Sequence, residues 1–385
     1  MWDSSISTTF SARVSYKNNT VMADNREELD FDPSGVGIAN GRYFGMPFPN
    51  DECPVVLVSV PGDATVSYAD GTAAGPEAII NASIQVDLYD EHLPSSPGFK
   101  IGTDETEIDL EQEGGRIRVY DYIKAINGEA RTKACKIIDC LSEGRDLDKE
   151  LRQMQEDVNQ ASSAVNYLTE QICAGYLKQG KIPGVVGGEH SVTFGAVKAA
   201  AESLPEGRKL GVLQFDAHAD LRNAYEGFEH SHASIMFNIL SKINNVGHLT
   251  QVGIRDFCYD EHDTIKREGR ISAFTDCGIE EDMAEGRTWK EICREIVDTL
   301  PEDVYISFDI DGLDPSLCPN TGTPVPGGLS FQKAVYLLRM VASQRKIVGF
   351  DLCEVAPGEN EWDANVGARL LHKMALFACF GGGVK

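Results

Sequence analysis

Three short segments of the sequence place carboxylate and imidazole side chains directly after apolar runs. They are 187–190 (Gly-Gly-Glu-His), 215–220 (Phe-Asp-Ala-His-Ala-Asp) and 307–311 (Ser-Phe-Asp-Ile-Asp). The apolar run before each segment is typical of a buried strand, and the last segment is expected to carry Asp309 and Asp311 on one strand face. Burying an unpaired carboxylate costs several kcal/mol, so such a pair requires cations or bound protons. Metal ions are the simplest way to meet this requirement.

The side chains of these segments form a donor set that suits hard or borderline divalent cations. The members of the set are His190, Asp216, His218, Asp220, Asp309 and Asp311. Four aspartates carry four negative charges, which two dications neutralise, whereas one ion leaves excess charge in a low-dielectric site. Taken singly, His190 is more readily explained as a hydrogen-bonded core histidine, and Asp220 as a helix cap. Taken together, the set predicts a centre for two metal ions.

The elements that must position these residues alternate between strand and helix. Strands are predicted at 54–60, 184–188, 210–215, 249–254, 304–310 and 347–352. Helices are predicted to open at 75, to run from about 146 to 180, and to cover 192–204, 289–300, 331–342 and 364–380. This order predicts an α/β fold with a mostly parallel sheet, in which ligands bind beyond the carboxyl ends of strands. The apolar stripe of the long helix also fits a coiled coil, but it is too short for one and favours a core-facing helix.

Composition limits the classes of partner. The 385 residues are 42% hydrophobic and 25% charged, as in ordinary globular domains, and the formal net charge is -25. That charge argues against binding to nucleic acid or to anionic membranes, and it suits a small cationic substrate, although acidity also serves solubility. The sequence shows neither a signal peptide nor an apolar run of membrane-spanning length, so a cytoplasmic protein is expected.

Residues 1–48 differ in composition from the rest of the chain. They are rich in Ser, Asn, Asp and Gly with little periodicity, which predicts an N-terminal extension on the protein surface, where it is placed to contact a neighbouring subunit. Residues 49–385 are expected to form a single catalytic domain.

Beyond the extension, the chain resembles the ureohydrolase family, which comprises arginases, agmatinases and their relatives. The resemblance rests on three segments in the family's order: 187–190, 216–220 (Asp-Ala-His-Ala-Asp) and 307–315 (Ser-Phe-Asp-Ile-Asp-Gly-Leu-Asp-Pro). It implies an arginase-like three-layer α/β/α domain that hydrolyses a guanidinium group. It also implies which residues hold each ion: His190, Asp216, Asp220 and Asp309 for one, and His218, Asp311 and the shared Asp216 and Asp309 for the other.

The same resemblance implies residues that act on the substrate. Glu354, at another strand end, would pair with the guanidinium through two parallel hydrogen bonds, the alternative being a surface-paired glutamate. Thr323 lies in a segment that resembles the family's substrate loop, where it would give polar support, although a simple turn explains it nearly as well. His232 is the expected proton shuttle, and either His232 or Asp311 would protonate the leaving nitrogen. The sequence reads Ser-His-Ala-Ser at 231–234 where the family often has His-Gly-Thr, which leaves the local backbone geometry open because alanine avoids positive φ.

Finer similarities concern the substrate. Segments 63–68, 75–78 and 85–90, together with the extension, look like bacterial guanidine hydrolases as found in cyanobacteria. This likeness favours free guanidine as substrate, nickel over manganese as the metal, nickel-loading accessory proteins, and a homotrimer or homohexamer. Bulky residues near 92–99 or 257–259 are expected to close the site against longer substrates.

Three alternative functions remain open at this point. An agmatinase or guanidinobutyrase would release an amine alongside urea. A single-zinc deacetylase on a related fold would not need the full set of Asp and His ligands. A catalytically silent metal-binding member of the family would keep the ion site without turnover.

Overall fold

A parallel sheet of eight strands forms the centre of the protein. The computed structural model describes residues 14–15, 31–110 and 115–380. Its strands are β1 (Val14–Ser15), β2 (Val55–Val60), β3 (Ile101–Thr103), β4 (Glu107–Leu110), β5 (Gly115–Arg118), β6 (Ile182–Gly187), β7 (Leu210–Phe215), β8 (Val246–Ile254), β9 (Ile271–Thr275), β10 (Asp303–Asp309) and β11 (Lys346–Cys353). The central sheet has the order β3-β2-β6-β11-β10-β7-β8-β9, and β1, β4 and β5 form a small separate antiparallel sheet.

Helices cover both faces of the central sheet. They are α1 (Gly75–Ser83), α2 (Val119–Ser142), α3 (Lys149–Lys178), α4 (Phe194–Glu202), α5 (Ile235–Lys242), α6 (Tyr259–Arg267), α7 (Asp276–Ala284), α8 (Trp289–Thr299), α9 (Phe331–Gln344) and α10 (Trp362–Phe380). One apolar core joins the sheet to α1, α8, α9 and α10, and a second joins it to α3, α4 and α5. The predicted three-layer α/β/α architecture is therefore confirmed. Within the described residues, no helix combines the length and apolar character needed to cross a membrane.

The central strand β10 shows why its neighbourhood is rigid. Val304, Ile306 and Phe308 face one core and Tyr305 faces the other, so the strand packs against apolar side chains on both faces. Its neighbour β7 pairs with it residue by residue, and the Phe308 ring stacks on Phe215 with centroids 4.5 Å apart. The ends of β7 and β10 are thereby held in fixed register.

The predicted long helix is α3, and it faces the core. Asp148 caps it by accepting a hydrogen bond from the Leu151 amide, and Gly180 lies just beyond its end with φ of 74°. Its buried face packs into the second core, which confirms a core-facing helix over a coiled coil. The 24-residue helix α2 was not predicted, because its buried face includes Asn127, Ala130 and Ala134, which give only a weak apolar stripe.

The last residues before position 48 depart from the expected surface extension. Tyr43, Phe44 and Met46 are buried in the first core. The Phe44 amide donates to Ser83 Oγ at 2.7 Å, and Tyr43 Oη lies 2.7 Å from Ser59 Oγ. The surface prediction is wrong for this stretch, because aromatic side chains there find partners on α1 and β2. Residues 1–13 and 16–30 lie outside the described residues, so the domain boundary and the contact with a neighbouring subunit stay predictions.

Gly188, which precedes the proposed ligand His190, provides a test of the packing at the end of β6. A Cβ at this position would lie 1.8 Å from the carbonyl oxygen of Gly62 and 2.6 Å from its carbonyl carbon. We expect Gly188→Ala to lower the free energy of unfolding by about 1–3 kcal/mol, as measured by chemical denaturation. The matched control is Gly128→Ala in α2, where an added Cβ meets nothing within 4 Å and should stabilise the helix by about 0.5–1 kcal/mol. Equal free energies of unfolding for the two variants would contradict the close contact between Gly188 and the Gly62 carbonyl group.

Candidate metal centre and substrate cavity

The predicted site residues meet where four adjacent strands end. Strands β6, β11, β10 and β7 are neighbours in that order, and all are parallel. His190 follows β6, Glu354 follows β11, Asp309 ends β10 and Asp216 follows β7. Parallel strands end at one edge of a sheet, so residues that are far apart in the sequence come together there.

The first cluster is built around the His190 ring. Its Nδ1 lies 3.1 Å from Asp216 Oδ2, 3.0 Å from Asp220 Oδ2 and 3.6 Å from Asp309 Oδ2. All of these side chains are buried. The structure therefore brings together the four residues that the sequence predicts for one ion.

The second cluster shares Asp216 with the first. His218 Nδ1 lies 3.0 Å from Asp311 Oδ2 and 3.6 Å from Asp216 Oδ1. Asp216 thus directs Oδ2 to one cluster and Oδ1 to the other, as a bridging carboxylate must. Asp309 groups with His190 but not with His218 and Asp311, so its own bridging role stays a prediction.

Asp309 and Asp311 do not share a strand face, which corrects the expectation from the sequence. Strand β10 ends at Asp309, and Asp311 lies in a 3-10 turn, Ile310–Gly312. Asp309 Oδ1 accepts a hydrogen bond from the Asp311 amide at 2.9 Å, and Asp311 Oδ1 accepts one from the Ala217 amide at 2.9 Å. The two carboxylates point to the same site because backbone amides hold one oxygen of each.

A buried chain of hydrogen bonds holds the far side of the His190 ring. His190 Nε2 lies 2.8 Å from Ser307 Oγ, and that hydroxyl donates to Asp351 Oδ1 at 3.1 Å. With Nε2 engaged, Nδ1 is the nitrogen left for the carboxylate cluster. Sequence reasoning assigned no role to Ser307 or Asp351, although Ser307 stands two residues before Asp309 and hence on the same strand face.

Arg255 is another residue that the sequence did not single out. Its guanidinium donates to the carbonyl oxygens of Asp311 at 2.6 Å and Val325 at 3.0 Å, and it also reaches those of Gly253 and Leu313. It therefore ties the turn that carries Asp311 to the predicted substrate loop. Carbonyl acceptors leave no signal in a sequence pattern, so only the structure identifies this role.

Electrostatics shows that the carboxylate cluster lacks enough positive charge of its own. Burial and the nearby charges of Asp311 and Asp216 raise the pKa of Asp309 well above its usual value. Burial and the charge of Asp216 likewise raise the pKa of Asp220. Burial disfavours the charged form of His218, but the charges and hydrogen bonds of Asp311 and Asp216 together outweigh this effect and raise its pKa to about 12. Asp216 differs, because burial opposes its charge but hydrogen bonds from His190 and His218 outweigh this effect and lower its pKa. A donor set whose buried carboxylates either keep their protons or depend on protonated imidazoles is one that divalent cations fit.

A cavity of about 150 Å³ opens above the two clusters. Its lining includes all the predicted substrate residues together with several metal-ligand candidates: His190, His218, Asp309, His232, Thr323 and Glu354. Glu354 has φ of 63°, a strained conformation for this residue type, and its Oε1 accepts a hydrogen bond from the His190 amide at 2.8 Å. Burial and the charge of Glu189 raise its pKa, and the charge and backbone amide of His190 offset this only in part.

His232 reaches the cavity without the glycine that the family often has beside it. The residue lies in a 3-10 turn, His232–Ser234, and Ser231 Oγ accepts from the Ala233 amide at 3.3 Å. Ala233 is not among the residues with positive φ, so alanine fits the turn. Burial and the charge of His218 lower the pKa of His232 to about 4, and within the described residues its buried Nδ1 has no hydrogen-bond partner.

Only one of the two segments expected to close the site does so. Phe257 lines the cavity, as do Tyr225 and Arg222, which the sequence did not point to. No residue of 92–99 lines it, and Phe99 instead packs against Phe380 with ring centroids 5.4 Å apart. That expectation is wrong because the segment lies against the end of α10.

Replacement of Asp216 tests the shared position. We expect Asp216→Asn to lose both ions, since each cluster uses one of its carboxylate oxygens, and elemental analysis of the purified protein gives the stoichiometry. Glu354→Gln is the matched control, because Glu354 belongs to neither cluster and should keep two ions per chain. Retention of two tightly bound ions by Asp216→Asn would contradict the bridging geometry.

Metal binding should depend steeply on pH. Burial opposes charge on the His190 ring, but hydrogen bonds to Asp216 and Asp220 raise its pKa well above normal, and that of His218 is about 12. Both rings are therefore protonated at neutral pH without metal, and each must lose its proton to become a ligand. Titration calorimetry should show an apparent affinity that rises about tenfold per pH unit for each displaced proton. An affinity that is independent of pH between 6 and 8 would exclude such displacement.

Comparisons with known proteins agree with this geometry. The Arginase family model matches residues 53–377. An N(1)-aminopropylagmatine ureohydrolase of Thermus thermophilus is 31% identical over 85% of this chain and 92% of its own length, and one of Synechocystis sp. is 29% identical over 80% and 82%. In fold, the chain is similar to an agmatine ureohydrolase of Thermoplasma volcanium, with a TM-score of 0.63, 23% identity and coverage of 89% and 95%. The match spans both clusters and the substrate cavity, and the chain belongs to the arginase family of ureohydrolases.

Proposed function

We propose that the protein is a two-metal guanidine hydrolase, which converts guanidine and water to urea and ammonia. The observation that carries this proposal is a buried carboxylate, that of Glu354, in the same small cavity as the two metal-ligand clusters. A carboxylate matches a planar guanidinium in shape and charge, since it accepts two parallel N–H donors.

Glu354 would bind and orient the substrate. Burial and the charge of Glu189 disfavour the ionised form of Glu354, and a guanidinium cation bound beside it would favour that form. Guanidinium groups have a pKa above ~12, so the substrate enters charged. Gly322 lies close to the other oxygen of the Glu354 carboxylate, since an added Cβ there would be 3.1 Å from Oε2. The neighbouring Thr323 is the proposed polar support on that side.

His232 and Asp311 are the proposed groups for proton transfer. Burial and the charge of His218 lower the pKa of His232, so its ring is neutral at pH 7 and presents an unprotonated nitrogen. We propose it as the group that relays a proton to the leaving nitrogen. Asp311 is the second candidate, and it lies in the cluster that holds His218. Two bound divalent cations would supply what these side chains lack, namely a water nucleophile with its pKa lowered toward ~7.

The proposed residues of the centre are those predicted from the sequence, with Asp216 as the bridge best supported by distances. Nickel is the favoured metal and manganese the alternative, because Asp and His donors accommodate both. The further proposals are a cytoplasmic homotrimer or homohexamer and nickel-loading accessory proteins, and they rest on the subgroup likeness of the sequence.

The main alternative is an agmatinase-type enzyme that releases urea and an amine. The names of the relatives support it, since they act on agmatine or aminopropylagmatine. The cavity supports guanidine instead, because Phe257 and Tyr225 line it and leave about 150 Å³. A single-zinc deacetylase has no use for two clusters, and urea release would exclude a silent metal-binding protein.

A substrate panel tests the proposal. Urea release should be measured with guanidine, agmatine, 4-guanidinobutanoate and arginine, on protein loaded with nickel or with manganese. We expect guanidine to have the highest kcat/KM, with nickel giving the more active enzyme. Preference for agmatine together with amine release would replace the proposed function by the agmatinase alternative.

The substrate carboxylate can be tested separately from the metals. We expect Glu354→Gln to keep two ions but to lower kcat/KM for guanidine by roughly 100-fold or more, because a charged pairing is lost in the transition state. Glu359→Gln is the matched control, since Glu359 is exposed in the following loop. Normal turnover by Glu354→Gln would exclude Glu354 as the substrate carboxylate.

A further inference from the structure

Arg222 places a guanidinium group on the lining of an otherwise acidic cavity. The residue stands two positions after Asp220, and its backbone amide donates to the Ala233 carbonyl at 3.1 Å. Its backbone is therefore fixed to the turn that carries His232. It is the only arginine or lysine among the described residues that line this cavity.

The Arg222 side chain is held between an aromatic ring and a carboxylate. Its Cζ lies 4.9 Å from the ring centroid of Tyr225, and its Nε lies 3.7 Å from Glu261 Oε2. Glu261 is itself buried, and its two oxygens accept hydrogen bonds from the amides of Leu221 at 3.0 Å and Cys258 at 2.9 Å. The carboxylate is thus engaged by the start of α6 and is not available to a ligand.

The terminal nitrogens of Arg222 remain available. Neither Nη1 nor Nη2 donates a hydrogen bond to any residue in the part of the chain that the structure describes. Arg222 lines the cavity, and its side chain is 40% exposed. Asp256, the other charged group on this side, is exposed, and water screens its charge. The planar Arg222 guanidinium, with two nitrogens free to donate, can bind a carboxylate and repels a cation.

We propose that Arg222 sets the charge selectivity of the cavity for the part of the substrate beyond the guanidinium. A substrate with an ammonium tail is repelled by the guanidinium of Arg222, which its contacts with Tyr225 and Glu261 hold in place. A substrate with a carboxylate tail instead gains paired hydrogen bonds from Arg222. Free guanidine has no tail and experiences neither effect. This inference rests on the proposed function and states which longer guanidino compounds the cavity admits beside guanidine, namely those with an anionic tail. It separates this chain from relatives whose names specify aminopropylagmatine.

The test uses three ligands of similar length that differ in tail charge: agmatine, butylguanidine and 4-guanidinobutanoate. Each is measured as an inhibitor of guanidine hydrolysis by the metal-loaded protein, so that the result does not depend on its own turnover. For the unsubstituted protein we expect 4-guanidinobutanoate to bind roughly tenfold more tightly than butylguanidine, and agmatine roughly tenfold more weakly.

Two substitutions at the same position isolate the charge. Arg222→Gln should reduce the ratio between the inhibition constants of agmatine and 4-guanidinobutanoate from roughly 100-fold to about threefold or less. Arg222→Lys should keep the order of the three ligands, because it keeps the charge. The matched control is Arg267→Gln, which removes a positive charge from the far end of α6, outside the cavity lining, and should leave the ratio unchanged.

Several results would overturn the inference. An unchanged ratio in Arg222→Gln would exclude it, and so would tighter binding of agmatine than of butylguanidine by the unsubstituted protein. Failure of all three ligands to bind would show that size, not charge, selects the substrate. Absence of urea from guanidine, with turnover of another guanidino compound, would refute the proposed function alone, because the same series run against that compound would still report on Arg222.

Discussion

The structure depends on the cost of burying negative charge. Four aspartates and a glutamate meet in a region that the sheet and its helices shield from water. For Asp220, Asp309 and Glu354, desolvation and neighbouring carboxylates oppose ionisation and raise the pKa. Two imidazoles offset part of this charge, and they do so only as cations, a form in which they cannot act as ligands. The arrangement is consistent with a centre that is complete only when divalent cations replace those protons.

The fold holds these buried carboxylates in defined orientations. Backbone amides hold one oxygen of Asp309 and one of Asp311, and the central strands that precede them are packed on both faces. Asp220 and Glu354 adopt positive φ, at 54° and 63°, which side chains of these types tolerate only where the surroundings enforce it. The strained backbone thus orients two carboxylates that contact His190, Asp220 at the ring and Glu354 at the backbone amide.

Two parts of the cavity lining contact different parts of a substrate in the proposed function. We call the metal-ligand clusters the floor of the cavity. The floor consists of the family's clusters and would serve any guanidinium substrate, because it contacts only the group being hydrolysed. Arg222, Tyr225 and Phe257 also line the cavity, and in the proposed function their side chains would contact the remainder of a substrate. Membership of the arginase family therefore specifies the type of reaction, whereas we propose that these three side chains select among guanidino compounds.

The sequence by itself determined the alternation of strands and helices, the parallel sheet and the six candidate ligands. These follow from local signals, since apolar periodicity marks the elements and polar residues at strand ends mark the site. It did not reveal α2, the burial of Tyr43 and Phe44, or the turn that carries Asp311. Each of those depends on partners that are distant along the chain.

Only the tertiary structure decided which residues act together around the ligands. Ser307 supports the His190 ring, Arg255 binds the Asp311 carbonyl oxygen, and Arg222 pairs with Glu261, contacts that join residues 117, 56 and 39 positions apart. Hydrogen bonds to backbone carbonyls, ring stacking and cavity shape carry no period along the sequence. They exist only when the chain has folded, so no pattern of residue types could have specified them.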